Sequence, residues 1–243
     1  MLRVTKIKII SLGLLSAIVI LGWPVYESMA HKYKVDFLPF YQFDPIPKDN
    51  PTNQILYQEQ YKDPANEALN LITTHKVAIN APAISAAVSI DGKLVWAGAS
   101  GWSDIENKTP VTTNTQFRIG STAKALTGTA LARMYDVKMI DLDKNISSYM
   151  KDLPNDEWRN ITSRQLASQM AGLPHYKQNT DYVGLYKTLT LSTRYEDVED
   201  SLSKFDSSEL LFEPGTQFSY STLGTVLLSA VMENGAMLTL ATG

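Results

Sequence analysis

The chain has 243 residues, 44% of them hydrophobic, enough to bury a sizeable core and too many for a disordered tail. A formal net charge of -3, with no run of like charges, argues against nucleic acid as a partner. The absence of cysteine removes disulfides, thiolate nucleophiles and Cys-based zinc sites from consideration.

Arg3, Lys6 and Lys8 precede Ile9 to Tyr26, eighteen residues without a charge and just long enough for a membrane span. Trp23 and Tyr26 suit its interfacial end. A cleaved signal peptide fits the same residues, because Pro24 breaks the apolar run and Ser28-Met29-Ala30 has a small-x-small pattern. Either reading makes residues 1–30 an N-terminal membrane anchor or signal peptide. Both place the remainder outside the cytoplasm, membrane-anchored or periplasmic/extracellular. Residues 31–63 carry Pro39, Pro45, Pro47 and Pro51 among polar and aromatic residues without a sustained period, which predicts a linker along the surface.

The domain is expected over 64–243. Asp63-Pro64 reads as an N-cap with Pro at the first helical position, and Ala65, Ala68, Leu69 and Ile72 give a helical stripe. Ile84 to Ile90 and Lys93 to Ala97 flank Asp91-Gly92, a strong β-hairpin signal. Gly101 to Gln116 reads as a polar connection. Ala123, Leu126, Ala130, Leu131 and Met134 then recur at helical spacing, so Ser121 should open a helix running to about Tyr135, with Lys124 one turn on. Further on, Asn145 to Met150 predicts a short helix. Thr162 should cap a helix over Ser163 to Met170, ended by Gly172 and Pro174. Glu196 to Phe205 reads as acidic and helical, Thr216 to Tyr220 as extended, and Leu223 to Met232 as a last apolar helix.

Ser-x-x-Lys occurs three times, as Ser121/Lys124, Ser148/Lys151 and Ser201/Lys204. A lysine acting as general base must be neutral part of the time, which needs desolvation and no carboxylate holding its proton. Glu199, Asp200 and Asp206 surround Lys204, and Asp152 adjoins Lys151, whereas Phe117 to Tyr135 reads -FRIGSTAKALTGTALARMY- without a carboxylate. Chemistry therefore favours Ser121. A helix N-terminus would add free N–H groups where an oxyanion develops. The residues alone also permit a serine cap followed by a solvated lysine. His31, His75 and His175 lie far apart without ligand spacing, so no metal site is expected.

Phe117-Arg118-Ile119-Gly120-Ser121-Thr122-Ala123-Lys124 resembles the active-site element of the serine β-lactamase and penicillin-binding-protein superfamily, in its class C-like, esterase-like branch. Tyr220-Ser221-Thr222, after Phe212-Glu213-Pro214-Gly215, resembles the second motif, with Thr222 where Asn is usual. That variant and Leu173-Pro174-His175-Tyr176 look most like the mitochondrial serine β-lactamase-like proteins and their bacterial relatives.

The resemblance implies an α+β, β-lactamase/DD-peptidase-like fold, an antiparallel sheet with a mostly helical subdomain. It implies a catalytic set of Ser121 as nucleophile, Lys124 as base and Tyr220 as proton relay, with Thr222 in the substrate-binding position. The substrate would be a small-molecule or peptide amide or ester, and no cofactor is implied. The family's third motif, Lys-Thr-Gly or His-x-Gly, is not found. The domain is therefore expected to be incomplete, lacking the C-terminal strands, with impaired hydrolysis. The alternative is a non-catalytic, membrane-tethered interaction or assembly protein of the same descent.

Overall fold

The computed structural model describes residues 13–26, 30, 46–47, 49–189 and 195–242. Residues 13–26 are helical (α1). Among the described residues no helix is long and apolar enough to cross a membrane. Of the apolar stretch 9–26, residues 9–12 lie outside the described set, as do Ser28 and Met29. Two compact units follow from the packing: residues 36–118 form one, and residues 119–243 with the first 35 form the other.

The first unit is an antiparallel sheet with one helix. Strands β1 (Thr52–Leu56), β2 (Ala83–Ile90) and β3 (Lys93–Asp104) are ordered β1-β3-β2, and β4 (Thr109–Pro110) pairs with the end of β3. The β2–β3 hairpin turns on Asp91 (φ 51°) and Gly92 (φ 73°), the two left-handed positions that this tight turn requires. Ala97, Gly98, Ala99, Ser100 and Gly101 make the middle of β3 small and buried. Gly98 has no room for a side chain, since a Cβ there would lie 2.3 Å from the Trp96 ring. Helix α2 (Lys62–Ala78) buries Ala65 against Val95 and Trp96, flanked by Leu69 and Ile72.

Three sequence expectations change in this unit. The segment read as a linker contributes β1, whose Gln54 side chain accepts the Trp96 indole N–H at 3.0 Å. Its pairing with β3 is long-range, which is why no local period announced it. The polar stretch after Gly101 extends β3 and forms β4. Helix α2 begins at Lys62, after a 3-10 turn over Glu59–Tyr61, so Pro64 falls within the first turn, where its missing N–H is tolerated.

The second unit is helical. A 3-10 turn (Gly120–Thr122) leads into α3 (Ala123–Asp136), followed by α4 (Ser163–Ala167), α5 (Tyr182–Leu189) and α6 (Thr222–Thr242). Helix α6 is its central pillar. Leu223, Leu227, Leu228, Ala230 and Val231 are buried at helical spacing among Ile146, Trp158, Ile161, Leu166 and Phe205. The Trp158 and Phe205 rings meet at 5.2 Å. Helix α6 runs on past the predicted Met232, and Gly235 allows close packing, because a Cβ there would lie 2.9 Å from Ile140. Among the described residues no strand follows β4.

Thr162 caps α4 as its sequence predicts: its hydroxyl accepts the Gln165 N–H, and the Gln165 side chain accepts the Thr162 N–H. The helix ends earlier than Gly172, because Gln169 takes the left-handed conformation (φ 63°). Gln169 N–H donates to the Leu166 carbonyl and Met170 N–H to the Gln165 carbonyl, the paired bonds of a Schellman ending. The expected core stripe of α3 is corrected as well. Leu131 is buried and Met134 half-buried, but Ala123, Ala130 and Leu126 are exposed, since the neighbour that α3 packs on within this unit is α6. Helix α5 had no sequence forecast.

Candidate active site

Ser121 and Lys124 stand at the start of α3, and Tyr220 and Thr222 at the start of α6. The 3-10 turn raises Ser121 into the first turn, where backbone N–H groups have no partner within the helix. Lys124 Nζ donates to Ser121 Oγ at 3.3 Å and to Thr222 Oγ1 at 3.2 Å. Tyr220, 99 residues further along, donates its hydroxyl to the same Ser121 Oγ at 2.9 Å. Of the four residues predicted from the sequence, Lys124 and Tyr220 thus converge on the Ser121 hydroxyl, and Thr222 joins them through Lys124. Lys124 is half-buried here and not packed into the core. Thr222 uses its hydroxyl to accept from Lys124, which orients the amine toward Ser121.

The other two Ser-x-x-Lys patterns form no such pair. Ser201 donates its hydroxyl to the Val198 carbonyl, and Lys204 lies over the Tyr195 ring at 4.7 Å. No hydrogen bond joins Ser148 to Lys151 or Ser201 to Lys204 among the described residues.

The electrostatics of the site centre on Tyr220. Its phenol is drawn down from the ordinary 10.0 to about 8, first by hydrogen bonding with Lys124 and then with Ser121. Lys124 Nζ also lies 5.0 Å from the ring centroid, where the cation favours electron-rich oxygen nearby. A phenolate at this position would accept the Ser121 proton along the 2.9 Å contact that the neutral phenol now donates through.

Two residues that sequence reasoning did not place in the site hold it together. Gln169 offers two carbonyl acceptors to the approach of α6. Its backbone carbonyl accepts the Ser219 N–H at 2.9 Å and its side-chain carbonyl accepts the buried Ser221 N–H at 2.6 Å, one residue on either side of Tyr220. The signal available in the sequence was the lack of glycine where α4 ends. His175 is the second. Its Nδ1 accepts the Thr222 N–H at 3.4 Å, and its ring meets that of Tyr220 edge to face at 5.6 Å. Burial first, and the Lys124 charge next, hold its pKa below the usual imidazole value. Ser221 completes the frame: its hydroxyl donates to the Pro174 carbonyl at 2.7 Å and accepts the Gly224 N–H at 2.9 Å, capping α6.

Comparison with known proteins identifies the family and the fold. Residues 69–236 match the Beta-lactamase family. The human serine beta-lactamase-like protein LACTB, mitochondrial, is 29% identical over 227 residues, covering 69% of this chain and 42% of that protein. Among solved structures, EstCE1, a hydrolase with promiscuous acyltransferase activity, is 26% identical with a TM-score of 0.57, covering 74% of this chain and 49% of that one. The D-amino acid amidase from Ochrobactrum anthropi SV3 is 25% identical with a TM-score of 0.55, covering 71% of this chain and 45% of that one. The chain thus spans less than half the length of these relatives. Its sheet-and-helix architecture is the β-lactamase/DD-peptidase-like fold. Since the family match extends over most of the sequence, the chain belongs to the Beta-lactamase family.

Proposed function

We propose that this chain carries the nucleophile and proton-transfer groups of a serine hydrolase that forms an acyl-enzyme on Ser121 from an amide, peptide or ester substrate. The observation that carries the reading is the double hydrogen bond to Ser121 Oγ, from Lys124 and from Tyr220. In acylation, the Ser121 oxygen attacks the substrate carbonyl while its proton passes to Tyr220 as phenolate or to Lys124 as free amine. The lowered Tyr220 phenol supports the first route, with the Lys124 ammonium balancing the phenolate charge. The same proton then goes to the leaving amine or alcohol. Water later attacks the ester on Ser121 and releases the acid, restoring the hydroxyl. The amidase and acyltransferase named among the relatives support acyl transfer as the reaction class.

Turnover of a chromogenic acetate ester, a chromogenic cephalosporin and a D-amino acid anilide tests the reading. Hydrolysis of any one by the wild type, lost in Ser121→Ala, is the expected outcome. Equal turnover by Ser121→Ala overturns it, and a folded protein inert to all three favours the non-catalytic interaction role.

The basic flank Arg3, Lys6 and Lys8 and the apolar run 9–26 support export, with the chain anchored in or released from a membrane. Fractionation of the full chain with a C-terminal tag checks this. Recovery in the cytoplasm at full length contradicts it.

A further inference from the structure

We propose that neutral His175 is a positioning residue for this site, holding Tyr220 and Thr222 in register with Ser121, and that protonation of His175 releases them. The inference rests on the serine hydrolase reading for its consequence, but its geometry stands apart from it. His175 makes two contacts on consecutive parts of the α6 approach. Nδ1 accepts the backbone N–H of Thr222, the first residue of α6, and the ring lies edge to face with Tyr220 at 5.6 Å. Thr222 in turn accepts from Lys124, and Tyr220 donates to Ser121. Through these two residues His175 reaches both groups that touch the nucleophile without touching it.

The mount is itself fixed. The His175 N–H donates to the Gln178 side chain at 3.2 Å, its carbonyl accepts the Gln178 N–H at 2.8 Å, and the Tyr176 ring lies 4.6 Å away. Leu173 and Pro174, just before it, are buried.

An imidazole accepts a hydrogen bond at Nδ1 only while that nitrogen is unprotonated; the imidazolium offers donors alone. Protonation would therefore set an N–H against the Thr222 N–H, at the positive end of a helix that begins there. The groups facing the ring are Lys124 from α3, Tyr220 from the approach to α6 and Tyr176 from its own turn. The Lys124 ammonium opposes a second positive charge, as does partial burial. Both keep the acceptor form in place at neutral pH, so that it is lost only on acidification.

The test uses two variants of the full chain. His175→Asn keeps an acceptor oxygen near the Nδ1 position but cannot titrate. His175→Phe keeps an aromatic ring for Tyr220 but has no acceptor. The first readout is independent of activity: in a 15N-labelled protein the Thr222 amide resonance should move with the His175 titration below pH ~6.5, and should lose that step in His175→Asn. The second is the rate at which a fluorophosphonate labels Ser121. The wild type should lose rate more steeply with falling pH once His175 protonates, His175→Asn should lack this added steepness, and His175→Phe should label about 5- to 10-fold more slowly near neutrality, the worth of one hydrogen bond. An unmoved Thr222 amide overturns the proposal, as does an acid limb in His175→Asn identical to the wild type's. Absence of labelling in every variant with an intact Thr222 titration would instead sink the hydrolase reading and leave the positioning contact standing.

Discussion

Removing the Gln169 side chain should loosen the segment that carries Tyr220, by an amount that the structure lets one divide. Gln169 sits at φ 63°, a conformation that costs a non-glycine residue about 1–2 kcal/mol. In return its side-chain carbonyl accepts the N–H of Ser221, which is 3% exposed and has no access to water as a substitute. Leaving such a buried donor unpaired costs about 1–3 kcal/mol. Gln169→Ala keeps the backbone strain and loses the acceptor, so it should destabilise by about 1–3 kcal/mol. Gln169→Gly loses the same acceptor but relieves about 1 kcal/mol of strain, so it should unfold between the alanine variant and the wild type. Urea unfolding followed by tryptophan fluorescence, with Trp158 buried in the helical core, measures both. A Gln169→Ala variant within about 0.5 kcal/mol of the wild type, the range of an ordinary surface substitution, or a Gln169→Gly variant that is the most stable of the three, would refute this role of Gln169.

Tyr220→Phe should slow acylation of Ser121 by about 10²- to 10⁴-fold, the usual worth of a positioned proton-transfer group, as followed by probe-labelling rates. With the phenol at about 8 in the folded chain and at 10.0 when unfolded, the folded form holds fewer protons between those values. Stability of the wild type relative to Tyr220→Phe should therefore rise from about pH 8 to pH 10, and a flat difference across that window speaks against the shift. Leu227→Ala, at a fully buried position of α6, should cost about 2–5 kcal/mol in denaturant unfolding. Gly184→Ala should also destabilise, because the added Cβ would lie 2.0 Å from the Lys204 carbonyl, and an unchanged midpoint would show that α5 can shift away.

The parts of this protein that were legible in its sequence are those set by local chemistry. Asp91-Gly92 announced the hairpin because both positions need a left-handed backbone, and Thr162 with Gln165 announced the start of α4 through reciprocal capping. The choice of Ser121 and Lys124 over two identical patterns came from the missing carboxylates around them, and Tyr220 and Thr222 came from a resemblance. What stayed hidden depends on partners distant in sequence. Strand β1 exists through pairing with β3 over 40 residues away, so its Pro-rich flank read as a linker. Gln169 is a poor residue for its backbone conformation, and only the Ser219 and Ser221 amides, 50 residues on, explain why it stands there. His175 showed only that it lacks metal-ligand spacing with the other histidines, because nothing in its neighbourhood points to Thr222. Hydrophobic spacing placed α3 but overstated its burial, since period reports which residues share a face and not what covers that face.

The proposed function requires Ser121 to be a nucleophile. Reaction of the full chain with a fluorophosphonate or a fluorescent penicillin, followed by peptide mass spectrometry, measures this directly. A single adduct on the Ser121 hydroxyl, absent in Ser121→Ala and slowed in Tyr220→Phe, is the predicted result. An adduct that persists in Ser121→Ala, or maps to Ser148 or Ser201, would contradict it.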